Sequence, residues 1–250
     1  MVQAKGLSLE GVTKAFGGVI AVNHLGFMVS PGEIKAIIGP NGAGKTTLFN
    51  IIGGSLAPDS GKIFFNGVNI TAKTPHEVYR NGIARTFQVA KLFPQLTVSE
   101  NLQVAIFSHK KLTYNFVSNA KKIGIQRAFE LIERVGLKVQ AEMPVGFLSH
   151  GDRKLLELAI ALSGEPKLLL LDEPTAGLPT EERRKFVFII KDIVEEMKIS
   201  TLFIEHDMDI VFPLAQKIIV IHYGAMIAEG VPEEIKNNGE VQKIYLGGRE

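Results

Sequence analysis

Ile34-Lys35-Ala36-Ile37-Ile38 runs directly into Gly39-Pro40-Asn41-Gly42-Ala43-Gly44-Lys45-Thr46, and Thr46–Ile52 then reads as a helix ended by Gly53-Gly54. The middle stretch fits G-x-x-x-x-G-K-[ST], and it stands in the strand–loop–helix context that such a loop needs. Its glycines let backbone N–H groups curl around an anion, where side chains would block the approach. The helix that follows points the positive end of its dipole at the same place. Lys45 can reach β- and γ-phosphates, and Thr46 offers a hydroxyl to Mg²⁺; Thr47 joins the same candidate set. The loop implies a nucleoside triphosphate with Mg²⁺, ATP foremost.

Outward from the loop, residues 7–38 and 62–70 read as short strands punctuated by Gly17-Gly18, Pro31-Gly32 and Asp59-Ser60-Gly61. Residues 89–165 read as mostly helical. Thr97-Val98-Ser99-Glu100 is a capping box ahead of Leu102–Phe107. Ile125, Ala128, Phe129, Ile132 and Val135 fall at helical spacing and Gly136 stops them. Leu155–Leu162 is apolar on nearly every face, which predicts a buried helix. Strands and helices then alternate. Lys167–Leu171 reads as a central parallel strand. Thr180 is positioned to cap a helix with Glu181 and Glu182 in its first turn and Phe186, Ile189, Ile190, Ile193 and Met197 on its buried face. Thr201–Ile204 and Lys217–Ile221 are two further strands. The expectation is an α/β fold with a mainly parallel sheet, an N-terminal antiparallel β part and an inserted α-helical part. Residues 1–88 with 166–250 form the core, and 89–165 the insertion.

Asp172 ends the apolar strand Leu168–Leu171, where a carboxylate can hold Mg²⁺. Glu173 follows, placed to orient or deprotonate an attacking water. His206 comes just after Thr201–Ile204, and Gln88 just after the apolar stretch Ile83–Phe87; each alone is unremarkable.

The composition narrows the function further. A chain of 250 residues buries roughly 70–75% of its unfolded surface, so no covalent staple is required. There are no cysteines, which removes thiol nucleophiles and Cys-based zinc sites. The net charge of +2, from 28 basic and 26 acidic residues, gives no case for nucleic acid as a partner. The apolar runs, Leu168–Leu171 and Ile218–Ile221 among them, fall far short of the about 20 residues of a membrane span. Nothing in Met1-Val2-Gln3-Ala4-Lys5-Gly6 has signal-peptide length.

Together these residues resemble the ATP-binding-cassette (ABC) ATPases over essentially the whole chain. The deciding stretch is Leu148-Ser149-His150-Gly151-Asp152, similar to the family signature Leu-Ser-Gly-Gly-Gln, opening a helix some twenty residues before Asp172. The resemblance implies that Phe16 stacks on adenine, and that Gln88 completes the Mg²⁺ shell with Thr46 and Asp172. It makes Glu173 the general base and His206 a γ-phosphate contact. Ser149 and Gly151 would contact the nucleotide of a second ATPase subunit, identical or different, facing head-to-tail. Within the family the chain looks most like the ATPase of a branched-chain amino acid importer. Phe203–Val211 and the tail Glu240–Gly247 carry that likeness beside the signature, and the ATPase of the lipopolysaccharide exporter shares parts of the tail. The implied partners are two transmembrane permease subunits and, indirectly, a substrate-binding protein, with the chain peripheral on the cytoplasmic face of the membrane. Urea or amide import and lipid export are the alternatives; a soluble non-transport ABC ATPase, a nucleotide sensor and a small-molecule kinase fit less well. The sequence departs from the pattern at His150, Asp152 and Pro179, the last where many members carry Asp.

Overall fold

The computed structural model describes residues 5–86, 92–109 and 118–246. The strands are β1 (Leu7–Phe16), β2 (Val19–Val29), β3 (Ile34–Ile38), β4 (Ser60–Phe65), β5 (Val68–Asn69), β6 (Ile83–Arg85), β7 (Leu168–Asp172), β8 (Ser200–Ile204), β9 (Lys217–His222) and β10 (Ala225–Gly230). The helices are α1 (Lys45–Ile52), α2 (Pro75–Arg80), α3 (Val98–His109), α4 (Ser118–Arg134), α5 (His150–Ser163), α6 (Thr180–Glu196), α7 (Met208–Leu214), α8 (Pro232–Lys236) and α9 (Gly239–Leu246).

One sheet has the order β10-β9-β3-β8-β7-β6 and the other β2-β1-β4-β5. In the first, β9, β3, β8, β7 and β6 pair in parallel and only β10 runs antiparallel. The second is antiparallel throughout. The expected α/β class, mostly parallel core and antiparallel N-terminal part are therefore what the chain forms.

Every residue of β3, β7 and β8 is buried. Alternate side chains point to opposite faces, so each strand feeds two cores. Ala36, Leu169, Leu171 and Phe203 join one cluster with Val98, Leu102, Ala128, Leu158 and Ile190 from the helices. Ile37, Leu168, Leu170 and Leu202 join another with Leu48, Phe49 and Ile52 of α1 and Leu9, Leu25 and Ile63 of the antiparallel sheet. A two-sided apolar strand is the pattern of a sheet covered on both faces.

The capping box ahead of α3 is formed: Thr97 N–H donates to Glu100 Oε2 at 2.8 Å, and Glu100 N–H to Thr97 Oγ1 at 3.2 Å. Helix α5 is buried through Leu156, Leu158, Ala159, Ala161 and Leu162, as its pattern predicts. Two expectations are corrected. Thr180 is the first helical residue of α6; Pro179 occupies the cap position, with no side-chain cap bond. Proline's fixed φ suits a helix entry, and it lacks the hydroxyl a capping Thr would supply. Phe129 is 44% exposed, because α4 turns Ala128, Leu131 and Ile132 inward instead.

Lys35 is a charge inside a buried strand. Its ammonium donates to Met28 O and to Glu229 Oε1, the latter at 2.7 Å, and Glu33 lies 3.5 Å away. It thereby ties β3 to β2 and to the edge strand β10.

Leu170 is fully buried at the centre of β7. Leu170→Ala should cost about 2–5 kcal/mol through lost burial and the cavity left behind. The measurement is a lowered urea midpoint with an unchanged slope.

Candidate functional site

The parallel strands all end at one edge, and that pairing places the phosphate loop, Asp172, Glu173 and His206 there. β3 delivers the loop Gly39–Gly44. β7 ends at Asp172, directly beside Ile204 of β8, and Glu173 N–H extends the ladder by donating to Ile204 O at 3.0 Å.

The loop closes tightly on the antiparallel sheet. Gly44 has φ +98, and a Cβ there would fall 2.0 Å from Ala21 O of β2, so only glycine fits. Gly224 N–H donates to Ala43 O at 3.0 Å, holding the loop's outer side to the β9–β10 turn. Helix α1 has Gly44 as its cap residue and no side-chain cap bond, whereas Ser149 caps α5 and Asp207 caps α7 through their side chains. The first-turn N–H groups of α1 are thus left to an anion.

Lys45 is buried, and its ammonium donates to Gly39 O at 2.7 Å and Pro40 O at 2.8 Å, folded back over the loop it follows. Burial pushes the ammonium below the ordinary lysine range, while the Glu173 and Asp172 carboxylates pull the other way. Thr46 is exposed on the first turn of α1. His206 Nε2 lies 2.7 Å from Glu173 Oε1, with both side chains about one-third exposed (40% and 32%). Glu173 has φ +48, a left-handed backbone that a β-carbon makes costly. A cleft of about 250 Å³ joins Thr86, Asp172 and Glu173 to His150 and Lys154 of α5.

Phe16 ends β1 half exposed at 50%, with the Lys14 ammonium 5.7 Å from its ring centroid. Ser149 and Gly151 stand at the start of α5 and face a separate pocket of about 260 Å³ shared with Leu178, Glu182 and Phe186. A Cβ on Gly151 would fall 2.7 Å from Glu182 Oε2. Gln88 lies outside the described residues, as does Val89.

The residues fit a magnesium ion. Asp172 Oδ1 is buried and has no hydrogen-bond partner, while Oδ2 accepts from Arg85 Nη2 at 2.8 Å. One free hard carboxylate oxygen, with substrate phosphates completing the shell, suits Mg²⁺, which is seldom held by an all-protein cage. Among the described residues no group of three or more His, Cys, Asp or Glu is placed to hold a metal by itself.

Arg85 is a site residue that the motif reading missed. Its other guanidinium nitrogen, Nη1, donates to Asn50 Oδ1 at 2.7 Å, so it joins Asp172 to α1 one turn beyond Thr46. The signal was there: a lone cation in the apolar stretch Ile83–Phe87.

A parallel sheet that ends in a glycine-rich anion loop beside an Asp-Glu pair defines a P-loop nucleoside triphosphatase. The chain matches the family model described as ABC transporter over residues 22–176, and the model described as branched-chain amino acid ATP-binding cassette transporter over residues 225–250. It is 37% identical over 250 residues (96% of this chain, 97% of the relative) to the high-affinity branched-chain amino acid transport ATP-binding protein BraF of Pseudomonas aeruginosa. It is 37% identical over 249 residues (98% and 96%) to the probable branched-chain amino acid transport ATP-binding protein LivG of Archaeoglobus fulgidus. It superposes on the ADP conformation of MJ1267, an ATP-binding cassette of an ABC transporter, with a TM-score of 0.84 at 34% identity, covering 97% of this chain and 99% of that one. A dimeric post-hydrolysis cassette, MJ0796 bound to ADP and Pi, gives a TM-score of 0.76 at 26% identity over 90% of this chain and 98% of that one. The chain belongs to the ABC transporter family and is an ATP-hydrolysing cassette of it.

Arg85→Met leaves the Asp172 carboxylate, whose side chain is fully buried, without its cation. It should cost about 3–5 kcal/mol in chemical unfolding. The double variant Arg85→Met/Asp172→Asn should recover part of that loss.

Proposed function

We propose that this chain is the ATP-binding and ATP-hydrolysing subunit of an importer of branched-chain amino acids, working with separate permease subunits on the cytoplasmic face of the membrane. The Glu173–His206 pair at 2.7 Å, standing at the strand ends beside the phosphate loop, carries the hydrolytic half of this reading. The likeness to BraF and LivG along almost the whole chain supports the amino acid cargo. Permease and binding-protein partners follow from the same likeness, and among the described residues no helix is long and apolar enough to cross a membrane.

Residues 1–88 with 166–250 act as the nucleotide-binding body, and 89–165 as the signature-bearing arm. The N–H groups of Gly39, Asn41, Gly42, Gly44, Thr46 and Thr47 receive the phosphates, while Pro40 and Ala43 shape the loop, Ala43 N–H donating to Pro40 O at 3.2 Å. Lys45 exchanges its carbonyl partners Gly39 and Pro40 for β- and γ-phosphate oxygens. Phe16 stacks on the adenine. Thr46, Gln88 and Asp172 hold Mg²⁺, which when bound neutralises charge developing across the β- and γ-phosphates. Glu173 takes a proton from the attacking water as the new O–P bond forms and the β–γ bridge breaks. His206 donates to the γ-phosphate. Without nucleotide, Glu173 and His206 hold each other; a γ-phosphate that engages the imidazole releases the carboxylate toward water.

Ser149 and Gly151 line a pocket that includes neither Asp172 nor Glu173, which suits contact with a nucleotide held by a second cassette. ATP binding then closes a head-to-tail dimer, and hydrolysis reopens it. The permease contact falls on the groove between the body and the arm. Near it Leu92 packs against the core and Phe93 is exposed.

Glu173→Gln should keep ATP binding, lower phosphate release at least about a hundredfold, and favour an ATP-bound dimer on gel filtration; hydrolysis at the wild-type rate would show that Glu173 is not the base. A tagged chain purified from its own membranes should bring down two hydrophobic permease subunits. Recovery of soluble partners alone would sink the transport reading.

A further inference from the structure

Two loops leave the ends of the neighbouring strands β7 and β8, one carrying Glu173 and the other His206. Between them lies Glu205, a carboxylate only 4% exposed that the hydrolytic chemistry does not use. Its Oε1 accepts two hydrogen bonds from Thr175, from the N–H at 3.0 Å and the hydroxyl at 2.6 Å. Its Oε2 accepts the N–H of His206 at 3.2 Å. Thr175 is itself buried. A buried carboxylate is tolerable only when donors saturate its oxygens, and these three donors all come from the two loops it joins.

Further bonds bracket this contact. Toward the sheet, Glu173 N–H reaches Ile204 O at 3.0 Å. Toward the surface, Arg183 donates from Nε to Leu178 O at 2.7 Å and from Nη1 to Asp207 Oδ2 at 3.1 Å. The segments 173–178 and 205–207 are thus fastened at their inner end, middle and outer end, and Glu205 is the middle fastening.

We propose that Glu205 is a positioning residue: it locks the loop bearing the general base to the loop bearing the γ-phosphate contact, so that both move as one body when a γ-phosphate engages His206. This rests on the roles of Glu173 and His206 given above. The same fastening carries a displacement of His206 as far as Gly177 and Leu178. Pro179, which follows them, has no carboxylate with which to bond across a dimer.

The test compares Glu205→Gln, Thr175→Val, Thr175→Ser and the Glu205→Gln/Thr175→Val double variant. Glutamine keeps the size of Glu205 but turns an N–H₂ toward the His206 N–H, and valine keeps the shape of Thr175 without its hydroxyl. In steady-state MgATP hydrolysis, Glu205→Gln and Thr175→Val should each lower kcat about tenfold or more, with the KM for ATP within about twofold of wild type. Thr175→Ser should restore near wild-type kcat, and the double variant should be no slower than the slower single. An unchanged kcat in Glu205→Gln overturns the proposal. So does a kcat loss matched by an equal rise in KM, or a double variant slower by the product of the singles.

A second measurement needs no catalysis. Hydrogen exchange of the nucleotide-free protein should speed up together over 173–178 and 205–207 in Glu205→Gln. Faster exchange in one segment alone, or in neither, overturns the lock. A wild-type chain that binds ATP without hydrolysing it defeats the proposed function instead, and the exchange result then decides the lock by itself.

Discussion

The structure depends on the parallel pairing of β3, β8 and β7, three strands with every residue buried. Strands covered on both faces have no surface to offer except their ends. Parallel pairing gathers those ends at one edge, and there the chain can place polar groups at little cost to the core. The phosphate loop follows β3, Asp172 ends β7 with Glu173 next, and Glu205 with His206 follows β8. Register decides their mutual placement: Asp172 sits beside Ile204, and Ile37 is paired with Ile204 on its other side. A slip of one residue would exchange the faces of a strand and turn its carboxylate away from the loop.

Charges inside this frame act as fasteners. Lys35 ties the central strand to β2 and β10, and Arg85 ties the end of β7 to α1. Such buried ions are weak evidence for stability, because desolvation offsets much of their attraction. Their geometric effect is clearer. Arg85 occupies one oxygen of Asp172 and leaves the other directed by the same bond, while Asn50 puts the opposite side of the guanidinium on the helix that carries Thr46. Two parts of the candidate metal site thus share one cation. Glu205 does the analogous work for the loops of Glu173 and His206, with neutral donors in place of a counter-ion.

Reading the chain in order recovers the elements whose physics is local. The glycine loop, the Thr97–Glu100 capping box, the two-sided apolar strand before Asp172 and the buried helix α5 all follow from contiguous residues. The two misreadings have different causes, one local and one tertiary. Thr180 looks like a cap because its hydroxyl suits one, but Pro179 enters the helix first. Phe129 falls at helical spacing, yet the face that α4 buries is set by its neighbours α3 and α5, and Leu131 fits it better. The family resemblance proposed roles for Phe16, Gln88, Ser149, Gly151 and His206 that no local pattern carries.

By itself, then, the sequence determined the anion-binding loop, the class of fold and the family, because backbone curvature, periodicity and motif order are encoded in short stretches. Only the tertiary structure decided which groups meet. Arg85 and Asp172 are 87 residues apart, Glu173 and His206 are 33, and Thr175 and Glu205 are 30. Their contacts arise from strand order and register, which depend on how two cores pack on opposite faces of one sheet and on no single segment of the chain.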